Sequence, residues 1–397
     1  MLSRRDFLSR SALIALTPTV PGFLARTARA VQPRRDGRVL VVLQLDGGND
    51  GINTVVPFAD EGYAKYRKTL RLPKDRLIKI NDRVGLHPAM SAAGKLLEGG
   101  QLAIVQGVGY PNPSRSHFRS MAIWHSASTD PEEHNGLGWL GRGLDTSVPK
   151  PGETSALFLG PESVPLPVRG RRAVASAIER TEDFLLVPGA DARRVLSKEE
   201  PHDELTAFVR RSMLDAYTTA DRLAASAQSG GDSGRNFGSS LAGQLHMIVR
   251  LLRSGVGARV FYTLQGGYDT HAGQLPNHFR LLSDLSFSLQ AFLNDLKATG
   301  LAERVVVLCF SEFGRRVAEN ASGGTDHGTA GPVFLAGPSV RAGLIGQTPS
   351  LTDLADGDLK MGIDFRRVYA TVLEDWLGLP AKQALGAAFE RLPLFRS

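Results

Sequence analysis

Four short apolar runs limit what this chain can fold into: Val39–Leu45, Leu102–Val108, Ala258–Leu264 and Arg304–Phe310. Each is rich in β-branched residues and is bounded by glycine or polar residues. Strands buried on both faces read this way, because neither face leaves room for alternating polar side chains, and such strands belong to parallel sheets. A fifth run, Pro332–Ala336, is shorter and lies between glycines. Helical periodicity is clearest over Leu281–Leu296, where Leu282, Leu285, Phe287, Leu289, Phe292 and Leu296 make a wide apolar stripe. Leu241–Leu252 is similar and feeds the strand near Ala258. Helix, strand, helix, strand from 241 to 310 is the repeating unit of an α/β fold. A further helix is predicted over Arg366–Leu377, closed by Gly378 and Pro380. The expected fold class is α/β, a mostly parallel central sheet flanked by helices.

The first thirty residues read as an export signal rather than as part of that fold. Arg4 and Arg5 precede Asp6-Phe7-Leu8, a short apolar stretch follows, and Ala28-Arg29-Ala30 is a small-x-small cleavage site. Adjacent arginines here look like a twin-arginine signal, which a translocation machinery reads on proteins already folded. The implied destination is the periplasm or another exported location. The apolar stretch, interrupted by Thr17 and Pro18, is far short of the roughly 20 residues a membrane-spanning helix needs. The remainder, 31–397, reads as a single domain with insertions around 145–240. Those insertions include a helix near Glu204–Ala225 and a Gly/Ser-rich loop over Ser226–Gly234. The signal holds five arginines and one aspartate, so removing it lowers the formal charge from +7 to +3. So small a charge, with no basic cluster, argues against nucleic-acid binding. Cys309 is the only cysteine, so no internal disulfide forms, and its apolar run predicts a buried thiol.

Polar clusters gather where the predicted strands stop, the edge at which open α/β sheets bind ligands. Asp46-Gly47-Gly48-Asn49-Asp50-Gly51 follows the first strand; Asp46 reads either as a metal ligand or as part of a tight turn. Asp269-Thr270-His271 follows the third, and in an extended segment Asp269 and His271 point to the same side. Glu312 ends the fourth, while Asp326 and His327 precede the short fifth run. Several carboxylates and two imidazoles are a donor set for divalent metal ions, with positions left for water or substrate oxygen. In Ser114-Arg115-Ser116-His117-Phe118-Arg119, Ser116 reads as a nucleophile near a helix start or simply as that helix's cap. His117 reads as a ligand or base, and Arg115 or Arg119 as a clamp for an anionic oxygen. His87, His125 and His134 have no partners visible in sequence, and surface or capping positions are expected for them.

Asp46-Gly47-Gly48-Asn49-Asp50-Gly51-Ile52-Asn53-Thr54, Ser116-His117-Phe118, Thr270-His271, Ser311-Glu312-Phe313-Gly314-Arg315 and Asp326-His327-Gly328 together resemble the DUF1501 group of twin-arginine-exported proteins. The resemblance covers nearly the whole chain. It implies a distant relation to the alkaline phosphatase and sulfatase superfamily, with that group's sheet-centred core and its one- or two-metal site. Under it Asp46, Asp269, His271, Glu312, Asp326 and His327 would hold the metal (zinc, manganese or calcium), with the nucleophile near Ser116. The departures are specific. Asp269 and His271 are two residues closer than in the superfamily's Asp-x-x-x-His pair, Glu312 has no adjacent histidine, and no Cys/Ser-x-Pro-x-Arg motif is present. The implied function is hydrolysis of a phosphate or sulfate ester, an anionic substrate. The rival is a non-catalytic periplasmic binding or assembly factor that keeps the fold.

Overall fold

Each of the four apolar runs forms a strand, and the fifth does too. The computed structural model describes residues 37–130, 136–147, 154–178, 206, 210 and 239–396. The signal segment, the 226–234 loop, His134 and most of the helix expected near 204–225 lie outside them. The central sheet comprises β1 (Val39–Leu45), β2 (Leu102–Gly109), β3 (Ala156–Leu159), β4 (Ala175–Ile178), β5 (Val260–Gln265), β6 (Val305–Ser311), β7 (Gly331–Ala336), β8 (Gly343–Ile345) and β9 (Ile363–Asp364). Their order is β8-β2-β7-β6-β1-β5-β3-β4, with β9 also pairing β2. Every pair is parallel except those of β7, which runs antiparallel to both β2 and β6. The sheet thus enters the 145–240 region, where β3 and β4 supply one edge.

Alternation along the strands divides the core in two. In β1, Leu40 and Val42 face one side with Tyr262, Leu308 and Phe310. Val39, Val41, Leu43 and Leu45 face the other with Phe261, Val307 and Cys309. The first face is covered by α2 (His117–Ser126), α3 (Trp139–Asp145) and α6 (Phe365–Thr371), whose aromatics stack: Trp124 on Phe310 at 5.0 Å and Trp139 on Tyr369 at 3.8 Å. The second is covered by α1 (Ser91–Glu98), α4 (Ser240–Arg253) and α5 (Gln274–Ala298). The helix predicted over 281–296 therefore starts a full turn or more earlier. The one predicted over 366–377 is α6 followed by a π turn over Val372–Trp376. Cys309 is buried as expected, and burial pushes its thiol up. No helix among the described residues is long and apolar enough to cross a membrane.

Between this scaffold and the strand-end loops lies a buried ion pair absent from the sequence reading. Asp50 caps the short helix Gly51–Thr54, and its carboxylate receives Arg67 Nη1 at 2.5 Å and Nη2 at 3.0 Å, with both side chains fully buried. Arg67 also donates to the carbonyls of Val317 and Arg316, and Gln274 Nε2 donates to Asp50. Desolvation would raise the Asp50 carboxyl, but Arg67 beside it holds it below the usual carboxylate range. The pair joins the loop after β1 to the segment after β6 and to the start of α5. Removing one partner strands the other charge in the interior, so Arg67→Met is expected to cost about 3–5 kcal/mol of stability. Urea unfolding measures this directly, and a loss under about 1 kcal/mol would mean the pair is not a determinant of the fold.

Candidate metal centre

The antiparallel strand brings the polar clusters to one edge. Because β7 runs against β2 and β6, the segment before β7 lies beside the segments that follow its neighbours. Residues 314–316 pair with 326–329 through Gly314 N–Thr329 O (2.8 Å), Arg316 N–Asp326 O (2.9 Å) and Gly328 N–Gly314 O (2.9 Å). His327 is thereby set opposite Arg315, next to the loops leaving β1 and β5. His117 arrives from the first turn of α2, after β2.

Three histidines point into this edge, each with Nδ1 turned outward to an oxygen that can only accept. His117 Nδ1 donates to Glu312 Oε1 at 2.8 Å, His271 Nδ1 to Asp326 Oδ1 at 3.0 Å, and His327 Nδ1 to the backbone carbonyl of Arg115 at 2.7 Å. With the Nδ1 positions committed as donors, the neutral rings carry their lone pairs on Nε2. All three Nε2 atoms face one carboxylate oxygen, Asp269 Oδ1, at 3.5 Å from His117, 3.0 Å from His271 and 3.0 Å from His327. His271 and His327 Nε2 are themselves 2.9 Å apart. Ligand atoms of His117, Asp269 and His327 all lie within 4.8 Å of one another. Lone pairs so close repel unless a positive charge, proton or metal, sits among them. His117 Nε2 is buried without a hydrogen-bond partner. Imidazoles backed by carboxylate or carbonyl through the outer nitrogen are how proteins orient ligands to a metal, so these residues fit a divalent ion.

Of the other expected ligands, Glu312 and Asp326 stand behind these histidines and Asp46 does not. Glu312 is 1% exposed, and both its oxygens are engaged: Oε1 also accepts Gly47 N–H at 2.9 Å, and Oε2 accepts the Ser311 hydroxyl at 2.9 Å. It holds His117 and, through that hydrogen bond, raises the imidazole's proton affinity. Asp326 likewise holds His271; hydrogen bonds from Asn320 and then His271 lower its carboxyl. Asp46 reaches solvent at the end of β1 and accepts Gln44 Nε2 at 3.0 Å. Desolvation, then the Glu312 charge, raises its carboxyl. Asp269 and His271 do meet, although through successive i to i+2 closures (Thr270 N–Tyr268 O, His271 N–Asp269 O) rather than an extended segment. Ser116 occupies the N-cap position of α2, yet its exposed hydroxyl makes no hydrogen bond with a described residue, so its side chain neither caps the helix nor joins the histidine cluster. Arg119, on the same turn, is also exposed and makes no ion pair among the described residues.

Arg315 organises the edge. Its fully buried guanidinium donates to the carbonyls of Gly48 (2.7 Å), Tyr268 (2.8 Å), Thr325 (2.9 Å) and Gly47, and to Asp269 Oδ1 at 2.7 Å. Burial would raise the Asp269 carboxyl, but the hydrogen bond and charge of Arg315 outweigh it and hold it at about 2. The β1 loop approaches so closely that a Cβ on Gly47 (φ +114°) would lie 2.5 Å from Asp269 N. Glycine's freedom at positive φ is required there. Arg315 was visible in the sequence only as the end of the Ser-Glu-Phe-Gly-Arg stretch, with no role attached.

Below the edge, His125 departs from the expected surface or capping position, while His87 meets it as a cap. His125 is hydrogen-bonded to Gln44 Oε1 at 2.9 Å in the interior, because Gln44 sits on the central strand beneath Asp46. His87 is buried but does cap, accepting Ala89 N–H at 3.0 Å. His278, which nothing in the sequence singled out, bonds Asn49 Oδ1 at 3.0 Å. Burial is the main cause that pushes His87 and His125 down to about 3 and His278 to about 4. An unfolded chain binds protons at these histidines near pH 6.5, where the folded chain does not. Their contribution to stability is therefore complete above about pH 6.5 and declines as pH falls toward 4. Asp50, lowered in the fold, adds a loss below about pH 4. Melting temperature measured in chelator should be clearly lower at pH 4.5 than at pH 7.5, and equal values would contradict these burial effects.

Over residues 37–386 the chain matches the family described as "Protein of unknown function (DUF1501)". No curated protein matches it in sequence. Among solved structures it is similar to murine ectonucleotide pyrophosphatase/phosphodiesterase 5 in complex with AMP, at TM-score 0.42 and 10% identity, covering 87% of this chain and 96% of that one. It is also similar to the C-terminal periplasmic domain of EcEptC from Escherichia coli in complex with Zn (TM-score 0.38, 9% identity, 76% and 73% covered). A third is a Vibrio parahaemolyticus protein of the alkaline phosphatase superfamily (TM-score 0.35, 10% identity, 83% and 69% covered). At these scores the likenesses carry no argument about chemistry, which rests on the site itself.

Proposed function

We propose that this chain, which belongs to the DUF1501 family, is a metal-dependent hydrolase of anionic esters, with phosphate or sulfate esters as its substrates. One observation carries the reading: three histidine Nε2 atoms face a single Asp269 oxygen while each Nδ1 is committed elsewhere. His117, Asp269, His271 and His327 would hold the ion. An imidazole-rich set suits zinc or manganese and argues against calcium, which prefers oxygen ligands. When bound, such an ion supplies Lewis acidity toward an ester oxygen and lowers the pKa of an attacking hydroxyl.

The chain's own residues supply the rest. Ser116 presents an unengaged hydroxyl one residue from His117. The N–H groups of the first turn of α2, left without a side-chain cap, favour an anionic oxygen. Arg119 on that turn adds an uncommitted guanidinium for the charge that grows as the ester is attacked. Glu312 and Asp326 keep His117 and His271 in the ligating tautomer. The rival reading, an exported metal-holding factor without turnover, draws on the absence of any hydrogen bond between Ser116 and the cluster.

Metal uptake by the purified protein, followed by elemental analysis and an ester panel, tests this. The wild type should retain a stoichiometric divalent ion and cleave a phosphate or sulfate monoester or diester. His327→Ala should lose the ion, and Glu312→Gln should weaken it by about 10- to 100-fold. Ser116→Ala should keep the ion and lose turnover. A wild type that takes up neither zinc nor manganese rules the hydrolase out, and metal without turnover on any ester selects the rival. Export by the twin-arginine route is part of the same proposal: replacing Arg4 and Arg5 by lysine should retain the protein inside, as fractionation would show.

A further inference from the structure

The histidine cluster is open on one side and closed on the other, and one aromatic residue makes the difference. The side chains of Asp269 and His271 are 49% and 44% exposed, those of His117 and His327 33% and 20%, and His117 Nε2 is buried. Against the closed side lies Phe313, itself 3% exposed. Its ring centroid is 5.0 Å from that of His117 and 4.8 Å from that of His327, with the planes tilted by 39° and 31°. The two imidazoles meet each other edge-on at 4.2 Å. His271, on the open side, has a ring contact with His327 alone among the described residues.

The chain holds this ring in place from three directions. Glu312, the residue before it, accepts the His117 Nδ1–H. Gly314, the residue after it, pairs with Gly328 and Thr329 and so sets His327 alongside. From the β1 loop Gly48 presses on the ring, since a Cβ there would lie 2.4 Å from Phe313 Cε2. A hydrogen bond at Nδ1 fixes one atom of an imidazole but leaves its plane free to tilt. A flat face packed against both rings removes that freedom, and ring pairs at roughly 4.5–7 Å attract beyond the area they bury. Behind Phe313 is a space, lined in part by Asn49, Trp124 and Ser311, too tight for a water molecule. Trp124 Nε1–H is buried without a hydrogen-bond partner among the described residues. A shorter side chain at 313 would open this space beside His117 and His327, and an unpaired indole N–H favours water there.

We propose that Phe313 is a positioning residue for the metal centre. It fixes the planes of His117 and His327 and keeps water from their side, so that solvent and substrate reach the centre only across Asp269 and His271. The inference rests on the metal-binding part of the reading above. Binding of Co2+ to the purified protein after chelator treatment tests it, because this ion stands in for zinc and absorbs visible light more strongly the fewer waters it holds. Phe313→Ala should bind Co2+ about 10- to 100-fold more weakly than wild type, with a loss of absorbance per bound ion. Phe313→Leu, which refills most of the volume without a flat face, should regain the absorbance but not the affinity. A residue that served only to fill the core would not move the spectrum of the bound ion. Wild-type affinity in either variant, or undiminished absorbance in Phe313→Ala, overturns the proposal, and the leucine variant decides alone should the alanine one not fold. A wild type that binds no Co2+ refutes the metal centre itself and this inference with it, whereas binding with unchanged variants refutes this inference only.

Discussion

The arrangement at the sheet edge hangs on one buried guanidinium. Arg315 reaches the loop after β1 at Gly47 and Gly48, the loop after β5 at Tyr268 and Asp269, and the segment before β7 at Thr325. Loops in α/β folds are free to diverge, and nothing in the sheet forces three of them to meet. A planar cation with five N–H donors suits the purpose, since each carbonyl it receives fixes a backbone position and not only a side chain. Its carboxylate partner among the described residues is Asp269, the residue at the middle of the histidine cluster. Charge balance in the interior and ligand placement at the surface are thus the same interaction.

A second layer of constraint acts on the histidines. An imidazole alone rotates and tautomerises. Here Glu312, Asp326 and the Arg115 carbonyl each occupy one ring nitrogen and turn the other inward. The acids that look most like ligands in the sequence therefore divide their work: Asp269 faces the centre, while Glu312 and Asp326 stand behind it. The Asp50–Arg67 pair then supports the β1 loop from below, tying it to the segment after Arg315.

Much of the architecture could be read from local pattern because burial on both faces leaves a compositional mark. Val39–Leu45 and Arg304–Phe310 are apolar at almost every position, and the strands fall within a residue or two of the expected bounds. β3 and β4 left no such mark. Each is four residues long, with one β-branched residue, Ile178, between them, in a stretch otherwise rich in glycine and proline. The direction of β7 was equally invisible, since an apolar run does not encode the sense in which it pairs. The strand-end motifs carried the family resemblance, and the match over residues 37–386 bears that membership out.

Periodicity and composition by themselves determined that this chain builds a helix-flanked, mostly parallel sheet, that polar clusters lie at its strand ends, and that Cys309 is interior. Those properties depend on which residues neighbour one another along the chain. Tertiary structure alone decided that β7 runs backward and so delivers His327, that Glu312 and Asp326 back histidines, and that Arg315 and Arg67 are buried. Those depend on pairs such as Arg67 with Asp50 and Arg315 with Gly47, separated by 17 and 268 residues. Charge compensation and hydrogen-bond satisfaction are three-dimensional conditions, met by whichever groups the fold brings within about 3 Å, and spacing along the polymer does not record them.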